Sequence, residues 1–484
     1  MTELRKPRSA SARATKNDEN PASIMKTLVG PGRLAVSYSV ATYLLFVLGP
    51  WSYPMRYDLT LVLMIIVYNL AIYGGFRRGV APPAPRSWGQ SRNAKVNVDA
   101  VLTVSFFVTL VLFPIRMVVA TQNYSLDWHL FITKVVIGLS SAQENYSQRS
   151  VTSPPGIWVV LNYAYVLLGF IAWLYVPLVV LLWERASWPK RALAALVLVG
   201  SVLASVARGQ NFGAFDVIAQ LGAFILVRRA LRGPQASPAG RLGISARRAF
   251  PIILSAVFLV SFFANTMKSR IGDQFRSLVN IQGKSVPIDE SSIIWSITPP
   301  PLQPLLASIS MYVGHGYAAL SMAVREPFDS TFGLGSSYFL MDNVAQLFGS
   351  DFESRTFPEK LELSQGFDAN AQWHTAYLWI ANDVSLFGVP IVLFLLFFVF
   401  GRAWRDYVLR GNLFGALMMA PMTIFTVFIS ANNQLTGQPQ ALFGFMALAI
   451  AWLATRRRFA WPDPGGGTSP QAPPQGARRG TRRG

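Results

Sequence analysis

Apolar residues in this chain come in long blocks rather than in alternation with polar ones. Runs of roughly bilayer length occupy about 34–52, 58–76, 99–120, 156–183, 191–207, 211–228, 249–267, 375–401, 411–429 and 439–455. Each reads as a transmembrane helix, and the run at 156–183 is long enough to tilt. The expected fold is all-α: a polytopic integral membrane protein with about ten transmembrane helices. Seven of them lie in 34–267 and three in 375–455, and a large helical extracytoplasmic loop from 268 to 374 separates the two groups. Residues 1–33 are polar and precede a full span, so a cleavable signal peptide is not expected. That tail and the Pro/Gly-rich, basic tail 456–484 are expected to be cytoplasmic and disordered.

Composition agrees with the blocks. Hydrophobic residues make up 52% of the 484 positions and charged residues 14%, with a mean hydropathy of +0.36. A soluble domain carries about 25% charged residues. The net charge of +20 raises the question of nucleic acid, and its distribution answers it. With the N-terminus inside, segments 1–33, 77–98, 184–191, 228–248, 402–410 and 456–484 hold 31 of the basic residues. The segments facing the other side hold 11, and Arg116 lies within a span. This is the positive-inside pattern at every short loop, with both termini in the cytoplasm and no nucleic-acid partner. The chain has no cysteine, no phosphate-cradling glycine loop and no ligand-spaced histidines, so no metal and no cofactor are expected.

Two polar interruptions carry candidate chemistry. The first is "SVLASVARGQNFGAFDVIAQ", where Arg208 sits in a hairpin between two spans. It is either an interfacial anchor whose side chain snorkels to water or an anion clamp, because a guanidinium fork matches diphosphate. The second is the long loop, which holds 11 acidic and 7 basic residues. It opens with Lys268, Arg270 and Arg276 just beyond a span. "PLLASISMYVGHGYAALSMAV" reads as an amphipathic helix and "FGLGSSYFLMDNVAQLFG" as a second. They form a hairpin on the membrane, a re-entrant pair or two true spans; "REPFDS" lacks the cytoplasmic excess of Lys and Arg, which favours the outside. The loop returns through "FDANAQWHTAYLWIANDVSLFG", crowding Asp368, Trp373, His374, Thr375, Tyr377 and Asp383 at the start of a span. Polar and aromatic residues mixed at a membrane surface suit carbohydrate, the alternative being an ordinary aromatic belt. An aspartate within a span is costly, and is either functional or a helix–helix hydrogen-bonding residue.

This arrangement resembles the O-antigen, or oligosaccharide repeat-unit, polymerases (Wzy-like), which are related in architecture to the O-antigen ligases. Three pieces carry the resemblance. "SVLASVARGQ" is similar to the family's small-residue span ending in Arg-Gly. "MYVGHGYAALSMAVREPFDSTFGLG" is similar to its Tyr-x-x-x-Gly helix and Phe-Gly turn, here Tyr312, Gly316 and Phe332-Gly333. "NAQWHTAYLWIANDVSLFG" is similar to a polar-Thr stretch ending in Asp-x-Gly-x-x-Gly, with Ser385 where a glycine is common.

The resemblance implies a GT-C class membrane glycosyltransferase acting on polyprenyl diphosphate-linked oligosaccharide at the outer face of the cytoplasmic membrane. Arg208 and Arg270 would stabilise the leaving diphosphate, and His374 or Asp383 would serve as base. Arg276 is a further candidate cation there. Asn211, Tyr312, His315, Arg325, Trp373, Thr375 and Tyr377 would contact substrate. Partners would be the lipid-linked substrate, membrane lipid, and a chain-length regulator or flippase of the same pathway. The first outer loop, "WSYPMRYD", has Asp58 without an adjacent acid, which disfavours enzymes that use polyprenyl monophosphate sugars. A ligase-like transferase and a lipid-linked oligosaccharide flippase are the alternatives. The absence of a repeat between the halves and the long loop argue against the flippase.

Overall fold

The computed structural model describes residues 21–81, 96–147, 154–210, 212–231, 261, 280–281, 284–369 and 372–456. Nearly all secondary structure among them is helical. The first group comprises α1 (Pro21–Leu48), α2 (Leu59–Val80), α3 (Val98–Thr121), α4 (Trp128–Ser140), α5 (Ala142–Ser147), α6 (Ile157–Leu181), α7 (Trp188–Ala207) and α8 (Phe212–Leu231). Polar residues start several of them. Asp58 accepts the Thr60 N–H at 2.9 Å at the head of α2, Asn97 does the same for Ala100 at α3, and Asp127 for His129 at α4.

Six helices among the described residues are long and apolar enough to cross a membrane: Leu28–Leu48 within α1, then α2, α3, α6, α7 and Ala376–Arg410. Three further expected spans are shorter apolar helices, over Gly213–Ile225, Leu413–Phe428 and Pro439–Thr455. The expected span at 249–267 lies outside the described residues, apart from 261. One helix was not anticipated. The stretch between the expected spans at 99–120 and 156–183 contains α4, 13 residues of mostly apolar helix lying beside α7. It is too short to span, and its single cation hides the apolar run: Lys134 Nζ reaches back to the Thr121 carbonyl at 2.6 Å.

The loop between the two groups of spans is built onto the bundle. A two-residue antiparallel ladder joins β1 (Asn280–Ile281) to β2 (Lys284–Ser285). The following residues pair with the turn between α1 and α2: Ser52 N–H donates to the Pro287 carbonyl at 3.1 Å, and Arg56 meets Asp289 at 3.3 Å. After the short α9 (Ile293–Ile297) comes α10 (Gln303–Ala323), expected to belong to a hairpin on the membrane, a re-entrant pair or two true spans. It is buried along most of its length, crossing the ends of α1 and α2. Trp51 Nε1 donates to its Ala307 carbonyl at 2.9 Å, and its Tyr317 hydroxyl bonds Thr42 at 2.9 Å. Gly316 makes the closest approach, since a Cβ there would run into the Ser430 carbonyl. α11 (Tyr338–Phe348) and α12 (Phe357–Gln365) complete this layer.

The last group is α13 (Ala376–Arg410), α14 (Leu413–Leu417), α15 (Met419–Phe428), α16 (Gln434–Gly437) and α17 (Pro439–Thr455). α13 runs along α2, and Gly75 and Gly79 let the backbones touch near Phe394 and Phe398, the small-residue packing of membrane helices. α13 is not one straight rod. Ser385 breaks it at φ 64°, ψ 169°.

Candidate functional site

A cavity of about 920 Å³ lies where α10 and the start of α13 meet the ends of the other helices. One wall comes from α3, α6, α7 and α8, the other from α10 through α12 and from α15 to α17. Four of the residues singled out from sequence line it: Arg208, Tyr312, Trp373 and His374.

Arg208 is placed by the end of its helix. It is the C-cap of α7, and Gly209 follows in the left-handed region at φ +59°. A Cβ at 209 would also strike the Ala142 carbonyl, so the hairpin is clamped against the start of α5. The Arg-Gly pair is thus a helix terminator that fixes where the guanidinium emerges. Arg116, within α3, lines the same cavity, and Asp216 of α8 sits in its electrostatic field. Asp216 is 4% exposed and is held by Trp173 Nε1 at 2.7 Å and Gln220 Nε2 at 2.5 Å. Sequence reasoning counted Arg116 only as a span residue and passed over Asp216. The signal for both was present, since ionisable groups inside apolar runs mark internal cavities.

His374 precedes α13, whose N-cap is Thr375. The imidazole is 2% exposed, packed between Phe367 and Trp379 at ring distances of 5.3 and 6.2 Å. It hydrogen-bonds the Gln372 main chain through one nitrogen, and its buried Nε2 has no hydrogen-bond partner. Burial pushes its pKa down to about 3, against weaker opposing effects from that bond and from Asp368. At neutral pH the ring is therefore an uncharged acceptor. Tyr312 and Trp373 form an aromatic pair beside it, with centroids 4.8 Å apart.

The rim is acidic. Asp342, Glu353 and Glu359 line the cavity from the loop layer, opposite the arginines. Burial raises the Glu359 carboxyl, and the neighbouring Glu362, Glu353 and Asp351 add to the effect. Among the described residues, no group of three His, Asp or Glu side chains is arranged to hold a metal ion.

The remaining expectations fall elsewhere. Asp383 is not at the cavity. Its carboxylate accepts the backbone N–H groups of Gly333, Gly335 and Ser336 at 2.8, 3.0 and 2.8 Å, and the Thr331 hydroxyl. It builds the Phe332-Gly333 turn, with three of the four donors on Oδ1 and the Ser336 N–H on Oδ2. Thr375 caps α13 through the Leu378 N–H at 3.1 Å. Tyr377 bonds Ser39 at 3.0 Å inside the helix packing. His315, 3% exposed on α10, lies between Tyr53 and Phe367, with neither ring nitrogen hydrogen-bonded. Arg325 is exposed beyond the end of α10. Asn211, Arg270 and Arg276 lie outside the described residues. Compared with protein-family models, with curated proteins and with solved structures, the chain matches none of them.

Proposed function

We propose that the chain is a membrane glycosyltransferase that polymerises polyprenyl diphosphate-linked oligosaccharide repeat units at the outer face of the cytoplasmic membrane. The full reading has about ten spans, with both termini inside and the cavity outside. The observation that carries it is the cavity itself, which gathers two half-buried arginines, a neutral acceptor histidine and an aromatic pair in one space.

In this reading a hydroxyl of the incoming lipid-linked unit attacks the anomeric carbon of the growing chain. The carbon–oxygen bond to the diphosphate breaks, and polyprenyl diphosphate leaves with the bonding electrons. Charge grows on the leaving oxygens during that step. Fixed guanidinium groups from Arg208 and Arg116 stabilise the transition state more than the ground state. The hydroxyl proton passes to His374 Nε2, which is neutral and unpartnered. Tyr312 and Trp373 offer faces to sugar rings, and Glu353 and Glu359 offer acceptors to sugar hydroxyls at the rim. Of the two candidate bases, His374 is preferred because the carboxylate of Asp383 is already committed to backbone donors.

The test is reconstitution. Purified protein in liposomes, supplied with lipid-linked repeat units and no nucleotide, should yield longer glycans and free polyprenyl diphosphate, and a chelator should leave the reaction intact. Transfer of glycan to an unrelated acceptor without chain growth would assign a ligase. Movement of intact lipid-linked substrate across the bilayer would assign a flippase.

A further inference from the structure

At the far end of α13 from the cavity, positive charge is buried around a single carboxylate. Asp406 is 1% exposed and meets Arg410 at 3.3 Å, Arg405 at 3.6 Å and Arg456 at 3.9 Å, while Trp452 Nε1 donates to it at 3.0 Å. The Arg405 and Arg410 side chains are themselves only 4% and 9% exposed. A fourth guanidinium, that of Arg402, lies over the Phe398 ring at 5.4 Å, in Coulomb range of Arg405, Arg456 and Arg78. Its Nε is buried without a hydrogen-bond partner. Among the described residues, the acid in the electrostatic neighbourhood of Arg402, Arg405 and Arg410 is Asp406.

One carboxylate carries one charge and cannot balance four guanidinium groups. The positive-inside pattern explains why arginines collect at this end, but it asks only for solvated cations. It does not explain why Arg405 and Arg410 are withdrawn from water beside one acid, with Arg402 and Arg456 half-buried around them, where like charges repel and desolvation is costly. A bound anion removes that cost. The guanidinium fork fits the oxygens of a phosphate group. The site lies where α2, α13 and α17 all end, which is where the lipid headgroups meet spans of bilayer length.

We propose that Arg402, Arg410 and Arg456 hold the phosphate of an anionic lipid headgroup between the ends of α2, α13 and α17, with Asp406 fixing the arginines in place. The site is independent of the transfer reaction. It requires only that the helix bundle be embedded in a membrane.

The full-length protein in neutral detergent is titrated with phosphatidylglycerol, with phosphatidylcholine and with millimolar inorganic phosphate, and its thermal unfolding is followed. Phosphatidylglycerol should raise Tm, and the other two additions should not. Arg402→Gln, which leaves the three pairs to Asp406 intact, should weaken the response about fivefold, and so should Arg456→Gln. Native mass spectrometry of the same proteins, which reads bound lipid rather than stability, should show the retained phosphatidylglycerol lost in both variants. Equal affinity in wild type and both variants would overturn the site. An equal response to phosphatidylcholine would reduce it to ordinary lipid solvation. Full stabilisation by inorganic phosphate would make it a soluble-anion site instead.

Discussion

Asp383, two residues before the break in α13, accepts the main-chain N–H of Ser336 at 2.8 Å across the loop layer. Its neighbour Asn382 acts in the same way, accepting the Phe357 N–H at 2.8 Å and donating to the Gly335 carbonyl at 3.0 Å. Two polar side chains at the head of a membrane helix therefore fold the loop that roofs the cavity. Asp383→Ala removes the acceptor for three backbone donors. It should cost at least about 3 kcal/mol and should appear as a lowered Tm and low accumulation. A variant with wild-type stability and no activity would return Asp383 to the chemistry.

Ser385 occupies a backbone region that is essentially glycine's. The strain there is about 1–3 kcal/mol, against roughly 0.5–1 kcal/mol for the added freedom of a glycine. Ser385→Gly should therefore match or exceed the wild-type Tm, while Ser385→Val should fall well below it. A marked loss of stability in the glycine variant would show that Ser385 is not strained.

Replacing Arg208 by Lys keeps the charge and loses the paired donors. Surface glycan in cells carrying Arg208→Lys or Arg116→Lys should collapse toward single repeats, a loss of about 10²–10³ in rate, with normal protein levels. Arg325→Lys, exposed and away from the cavity, is the silent control. Full-length glycan from Arg208→Lys would make that arginine an anchor.

Acid should loosen the fold through two histidines. Burial holds both His315 and His374 down to about 3, whereas an unfolded histidine titrates near 6.5. Between those values the unfolded chain binds protons that the native chain does not, so stability falls as pH drops from about 6.5 toward 3. The slope is about 1 kcal/mol per pH unit for each histidine. His315 has no hydrogen bonds to lose, so His315→Leu should halve the decline of Tm between pH 7 and 5. An unchanged slope would exclude His315 as a contributor.

Because the chain lacks cysteine, single-cysteine labelling of intact cells is clean. Exposed Ser285→Cys should react with an impermeant reagent and Ser469→Cys should not. The reverse pattern would invert the topology and put the cavity on the wrong side for an outward enzyme.

Long apolar runs announced α2, α3, α6, α7 and α13 because bilayer crossing leaves a length signature in one dimension. Arg208 was legible for a related reason, as a charge where the chain has only a few residues in which to turn. What stayed hidden depends on facing rather than spacing. Nothing along the sequence tells that Arg116 and His374 share a cavity, since that follows from how α3 and α13 are rotated in the bundle. Asp383 was misleading in the opposite way. A carboxylate in an apolar helix marks a purpose, and here that purpose is to hold a turn some fifty residues earlier in the chain.

The two walls of the cavity are separated in the chain, and that has a consequence for biogenesis. The ribosome delivers Arg116 and Asp216 long before α15 to α17 exist to enclose them. Arg116 therefore enters the bilayer without its eventual cover, in the last third of α3 where the cost falls below the ~2.5–3.5 kcal/mol of a central position, until α8 brings Asp216 into its field. The acid makes no ion-pair contact with Arg116, being held by Trp173 and Gln220, but its field eases the wait of an unfinished chain in lipid. Asp216→Asn should fail at insertion, as degraded nascent protein, before any question of catalysis arises.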